Sequence, residues 1–156
     1  FAEACDGFDQ MREREGEKLA EDVRNRASVI ETLVGEVEKR SPERVAEYRE
    51  KLLARMREVL ESTDIDETRI VTEAAIYADK TAVDEETVRL RSHLHQLDGM
   101  LNEIKPVGRK LDFLVQEMNR EANTIGSKAN DVEMAQTVVN IKSEIEKIRE
   151  QIQNIE

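Results

Sequence analysis

Tryptophan is missing from this chain of 156 residues; proline occurs twice, glycine six times and cysteine once, and aromatic residues make up only 3%. So few turn formers and aromatics set the chain apart from β-sandwiches and dinucleotide-binding α/β domains, and match long helices and coiled coils. The lone Cys5 excludes an intrachain disulfide and is compatible with a reducing cytoplasm, the expected location. No apolar run approaches the roughly 18 residues of a membrane span and no signal peptide is visible, so no membrane partner is expected. Also missing are an HExxH pair, a Cys-His zinc set, a phosphate-binding P-loop and a Gly-rich dinucleotide turn, which removes those enzyme classes.

What is abundant is charge. Asp, Glu, Lys and Arg make up 38% of the chain, with a net charge of -11. A surface basic everywhere is thereby excluded. Nucleic acid could be met only through a local patch, a metal ion, or a basic surface supplied by other sequence.

Apolar periodicity predicts an all-α fold: a long antiparallel helical hairpin over residues 1–62, then a helical domain over residues 67–156 with coiled-coil-like seams. The first hairpin helix is expected over Glu3–Arg40, with Leu19, Val23, Ile30, Val34 and Val37 on one face. Ser41-Pro42 reads as a stop and restart, Ser capping and Pro opening a second helix to about Glu61. Ser62–Asp66 reads as a polar linker, followed by helices over Glu67–Ala78 and from an Asp84 N-cap to Ile104, the latter with a Leu90, Leu94, Leu97, Leu101 seam. The last helix, Asp131–Ile155, carries the most regular pattern: Met134, Val138, Ile141, Ile145, Ile148, Ile152 and Ile155 step by four and three. That seam must be buried against another helix, in the same chain or in a second copy.

Val107–Lys128 is the most informative segment. Leu111, Leu114, Val115, Met118, Ala122 and Ile125 form one apolar stripe. The other face holds Phe113, Gln116, Glu117, Arg120, Asn123 and Thr124, flanked by Lys110 and Glu121. Asn is a poor helix former, so amides, carboxylates and an Arg around an outward aromatic ring suggest a site or a subunit contact. Glu117 and Glu121, four apart, can reach one point beside their helix. Carboxylates of this kind suit Mg²⁺ or Mn²⁺, with His tolerated by Mn²⁺. Of the two histidines, His93 borders the Leu seam and His95 points away. A lone His in such a place also serves as a structural hydrogen bonder.

The stretch VGRKLDFLVQEMNREANTIGSK from Val107, followed by the ending IKSEIEKIREQIQNIE, resembles the C-terminal signature of the YicC family of bacterial metal-dependent endoribonucleases. MREREGEKLAEDV from Met11 and DETRIVTEAAIYADKTAVDEETVRLRSHLHQL from Asp66 fit the same family in the same order. The resemblance is close from about Asp66 to Glu156 and looser from Met11 to Ser62. It implies a homo-oligomer that cleaves cellular RNA, single-stranded or structured, with a divalent cation (Mn or Mg); the Ile seam suggests assembly through the C-terminal helices. It also implies that the family's N-terminal domain is absent from this chain.

Within those motifs, residue chemistry puts Glu117, Glu121 and His93 near the metal, with Glu73 and Glu86 in reserve. Arg120 joins Glu117 and Glu121 as a catalytic candidate, since its guanidinium can clamp a phosphate bidentately. Arg89, Arg109, Lys110, Arg120 and Lys128 are expected on RNA phosphate, and Phe113 or Asn123 on a base or a neighbouring subunit. The alternative is a non-catalytic helical scaffold that uses its heptads for assembly and its polar face for protein contact.

Overall fold

Each apolar stripe legible in the sequence lies against another stripe of the same chain. The structure, a computed structural model, describes residues 2–60, 66–103 and 108–155. Among these every regular element is helical: α1 Ala2–Leu60, α2 Glu67–Thr81, α3 Asp84–Leu101, α4 Gly108–Lys128 and α5 Val132–Ile155. Helices α1, α3, α4 and α5 form an antiparallel bundle in which α1 packs on α3 and α5, and α4 packs on the same two. Ion pairs along the seams show the directions. Arg24 meets Asp98 while Glu38 meets Arg91, and Arg26 meets Glu144 while Arg40 meets Asp131.

The core draws on all four helices, including Val23, Ile30, Val34 and Val37 of α1. The Ile seam of α5 is buried within the chain from Met134 to Ile152; the side chain of Ile155 lies outside the described residues. Gly126 marks a close approach of α4 to α5, since a Cβ there would stand 3.1 Å from Val138 Cγ1. No helix among the described residues is long and apolar enough to cross a membrane.

The expected hairpin over residues 1–62 is replaced by one continuous helix. α1 runs through Pro42 without a break, although an interior proline deletes one hydrogen bond and costs about 3 kcal/mol. Tertiary contacts hold the helix on both sides of it. Arg40 donates through Nε to Asp131 Oδ2 at 2.9 Å and through Nη1 to Glu47 Oε1 at 2.7 Å. Arg44 donates to the Asn130 carbonyl at 2.6 Å and to the Tyr77 hydroxyl at 3.2 Å. Two arginines flanking the proline thus fasten α1 to the α4–α5 turn and to α2.

Beyond Pro42, α1 pairs with α2, burying Ile70 and Ala74 of α2. Tyr48 stacks on Tyr77 with ring centroids 4.0 Å apart and planes 2° from parallel. A two-helix arm therefore exists, but its members are the C-terminal part of α1 and α2.

Other boundaries shift by a turn or less. Most of the expected linker (residues 61–65) lies outside the described residues, while Asp66 caps α2 by accepting from the Thr68 and Arg69 amides. α2 continues through Asp79-Lys80-Thr81, and Val83, not Asp84, takes the N-cap position of α3. α3 is described to Leu101, with Ile104 outside the described residues, and α4 runs to Lys128, the end of the segment singled out in the sequence.

Because α1 supplies one wall of the core, a chain truncated to begin at Asp66 is expected to aggregate or to lose its cooperative melt, as read by circular dichroism. Ile30→Ala is expected to cost about 2–5 kcal/mol in denaturant unfolding. The Arg40 hydrogen bond holds the Asp131 carboxyl below its ordinary range, and Arg40 and Arg44 do the same for Glu47. A depressed folded pKa contributes stability above the unfolded value, and that stability is lost as pH falls through the carboxylate range near about 4. Arg40→Met should therefore lower the melting temperature at neutral pH and lose less than the parent on acidification; an unchanged acid limb would contradict this.

Candidate functional site

α3 and α4 meet along the Leu seam, and their polar edges meet beside it as three rungs. The first joins Glu86 of α3 to Lys128 of α4, whose Nζ donates to Glu86 Oε1 at 2.7 Å and to the Ala82 carbonyl at 2.9 Å. In the second, Arg89 Nη1 lies 3.9 Å from Glu121 Oε1. In the third, His93 and Glu117 join Glu121 so that one ligand atom from each lies within 4.8 Å of the others. A polar hollow of about 320 Å³ runs along the rungs, lined by Glu86, Arg89, His93, Glu117, Arg120, Glu121 and Thr124.

Helical spacing explains the convergence. Glu117, Glu121 and Lys128 recur at turn intervals on the edge of α4 flanking its apolar stripe, and Glu86, Arg89 and His93 do the same on α3. Each apolar stripe packs inward and carries its polar edge with it. Glu121 is only 6% exposed and Glu86 only 5%. Burial pushes the Glu86 carboxyl up, but the Lys128 hydrogen bond, its own backbone amide and the charges of Lys128 and Arg89 outweigh that and hold it below its ordinary range. Its Oε2 is buried with no hydrogen-bond partner among the described residues, as is His93 Nδ1.

An unpartnered imidazole nitrogen beside two carboxylates is a donor set suited to a divalent cation. Two hard oxygen donors and one imidazole fit Mn²⁺ more readily than Mg²⁺, which prefers an all-oxygen shell. Among the described residues neither Glu117 nor His93 is committed to an ion pair.

The other sequence candidates divide by position. Glu86 lines the hollow, whereas Glu73 is exposed on α2 and outside it. Arg89 spans Glu85 and Glu121 at the rim. Arg120 is exposed, lines the hollow and makes no ion pair among the described residues. It also lines, with Thr124, a shallow depression formed by Gln116, Asn119, Asn123 and Ser127 along the outer face of α4. Phe113 is 62% exposed. Arg109 and Lys110 are exposed near the start of α4 and line neither depression. Lys128, expected on phosphate, is instead committed to Glu86. That pairing was not foreseen, because it depends on how α3 and α4 are registered and neither helix shows it alone.

Residues 37–156 match the family described as endoribonuclease YicC-like, C-terminal. The chain is 52% identical over 148 residues to the "Probable endoribonuclease YicC" of Clostridioides difficile (strain 630), covering 94% of this chain and 50% of that protein. It is 36% identical over 156 residues to the protein of the same name from Haemophilus influenzae (strain ATCC 51907 / DSM 11121 / KW20 / Rd), covering all of this chain and 54% of that protein. The chain thus spans about half the length of the curated relatives it matches.

Removing the partner of a buried carboxylate leaves its desolvation uncompensated. Lys128→Met is therefore expected to lower stability by about 1–3 kcal/mol in denaturant unfolding. Lys128→Met combined with Glu86→Leu should recover most of that loss, since an apolar pair of similar volume often replaces a buried ion pair at little cost. Equal stability of the single variant and the parent would show that the pair is not desolvated.

Proposed function

The chain belongs to the YicC-like family, and on that footing we propose that it forms the catalytic part of a divalent-metal-dependent endoribonuclease, with His93, Glu117 and Glu121 holding the cation. The observation that carries this reading is the convergence of those three side chains from two helices, with His93 Nδ1 buried and without a partner and Glu117 in no ion pair among the described residues. When bound, a cation there lowers the pKa of water and neutralises charge on a phosphodiester.

The chain's own residues supply the rest. Arg120, in no ion pair among the described residues, stands at the rim where it can bind a phosphate bidentately. Arg89, on the opposite helix, offers a second positive group across the hollow. The amides and hydroxyls of Gln116, Asn119, Asn123, Thr124 and Ser127 extend from Arg120 along α4, with donors and acceptors suited to ribose and base edges. Phe113, exposed on the same helix, offers a face for stacking an unpaired base. Single-stranded or locally opened RNA is the substrate form this arrangement favours.

The scaffold alternative relied on the Ile seam as its assembly device. That seam is buried within the chain, against α1 and α4. Association of copies through the C-terminal helices would have to use other surfaces.

The test is RNA cleavage by the full-length protein with Mn²⁺ or with EDTA. Activity is expected only with the cation. Glu117→Gln and His93→Ala are expected to lower it by on the order of 100-fold or more. Glu117 makes no ion pair among the described residues, so its variant should change stability by no more than about 0.5 kcal/mol. Parent-like rates in both variants, or activity that persists in EDTA, would move the chemistry elsewhere.

A further inference from the structure

Glu86, at one end of the hollow, already holds a cation belonging to the protein. The Lys128 ammonium is bound as a hard metal ion would be, by a carboxylate oxygen of Glu86 at 2.7 Å and by the Ala82 carbonyl at 2.9 Å. Two further oxygen donors line the same hollow: the Glu121 carboxylate, one rung away, and the Thr124 hydroxyl. Glu86 itself is 5% exposed, and its second oxygen has no partner among the described residues. That is one more acceptor than Lys128 uses. Carboxylates and a backbone carbonyl are the ligands a hard divalent cation takes.

Two cations about 3.5–4 Å apart are a common device for phosphoryl chemistry. Here the charges are disposed differently. An ammonium beside one end of the hollow repels a second metal ion, and its own positive charge needs no metal supply. We propose that Lys128 stands in the place of a second divalent cation, so that the hollow takes one metal ion at His93, Glu117 and Glu121 and has a latent second metal position at Glu86 that Lys128 keeps closed. The inference extends the cation reading of the neighbouring cluster but can be tested apart from it.

The experiment is Mn²⁺ titration of the full-length protein by calorimetry, with electron paramagnetic resonance to count bound ions and detect coupling between them. The parent is expected to bind about one Mn²⁺ per chain in the hollow. Lys128→Met is expected to bind one more, and Glu86→Gln added to Lys128→Met is expected to abolish that extra ion. The difference between variant and parent tests the inference, whereas the parent alone tests the three-residue cluster. A parent with no ion and a variant with one, lost again on Glu86→Gln, would support the latent position and remove the cluster. No gain in Lys128→Met, or a parent that already binds two ions in the hollow, would overturn the inference. If Lys128→Met does not fold by itself, recovery of its helical signal on adding Mn²⁺ replaces the titration, and lack of recovery counts against the proposal.

Discussion

The antiparallel register of α3 on α4 is the constraint from which the chemistry of this chain follows. His93 comes from one helix and Glu117 and Glu121 from the other, so their convergence is a property of the seam and of neither helix alone. Leu90, Leu94 and Leu97 on one side, and Leu111, Leu114 and Met118 on the other, are almost fully buried. A slip of one turn, about 5.4 Å, would separate the three donors. α1 and α5 make such a slip costly, since both close over the same core. The bundle therefore works as a clamp that keeps a small acidic cluster assembled at its rim.

That arrangement also resolves the difficulty posed by the net charge of -11. Total charge governs encounter and solubility, while a site responds to what lies within a Debye length. Around the hollow three carboxylates, Glu86, Glu117 and Glu121, face three cationic groups, Arg89, Arg120 and Lys128. The remaining acid is spread elsewhere, part of it in ion pairs such as those of Glu38, Glu47 and Asp131 with arginines. An acidic chain can thus present a locally balanced pocket, and one added divalent ion would turn that pocket positive.

Periodicity made the all-α class and the inward faces of α3, α4 and α5 legible, because burial follows the 3.6-residue repeat wherever a helix lies on a core. The six apolar positions read on α4 are all buried. Proline misled at Ser41-Pro42, where the local signal for a break is sound but Arg40 and Arg44 override it with contacts to residues far away in sequence. Glu121 looked like a flank of the solvent face; its burial comes from the approach of α3, which the α4 sequence does not encode. The grouping of His93 with Glu117 and Glu121 was legible from helix faces and residue chemistry within the motifs, whereas the Glu86–Lys128 pair was not legible at all. Register between helices is set by the sum of many packing contacts, and one strand of sequence does not display that sum.

The stacked pair Tyr48 and Tyr77 has a spectroscopic consequence. The chain contains two tyrosines and no tryptophan, so its intrinsic ultraviolet emission comes from a single spot, where the C-terminal part of α1 lies on α2. The bundle and its polar hollow are silent in that signal, while the far-ultraviolet helical signal is dominated by them. Two optical channels thus view two parts of one molecule without any label. The continuous α1 joins those parts mechanically, and whether the two channels melt together reports how stiffly a helix carries cooperativity past an internal proline.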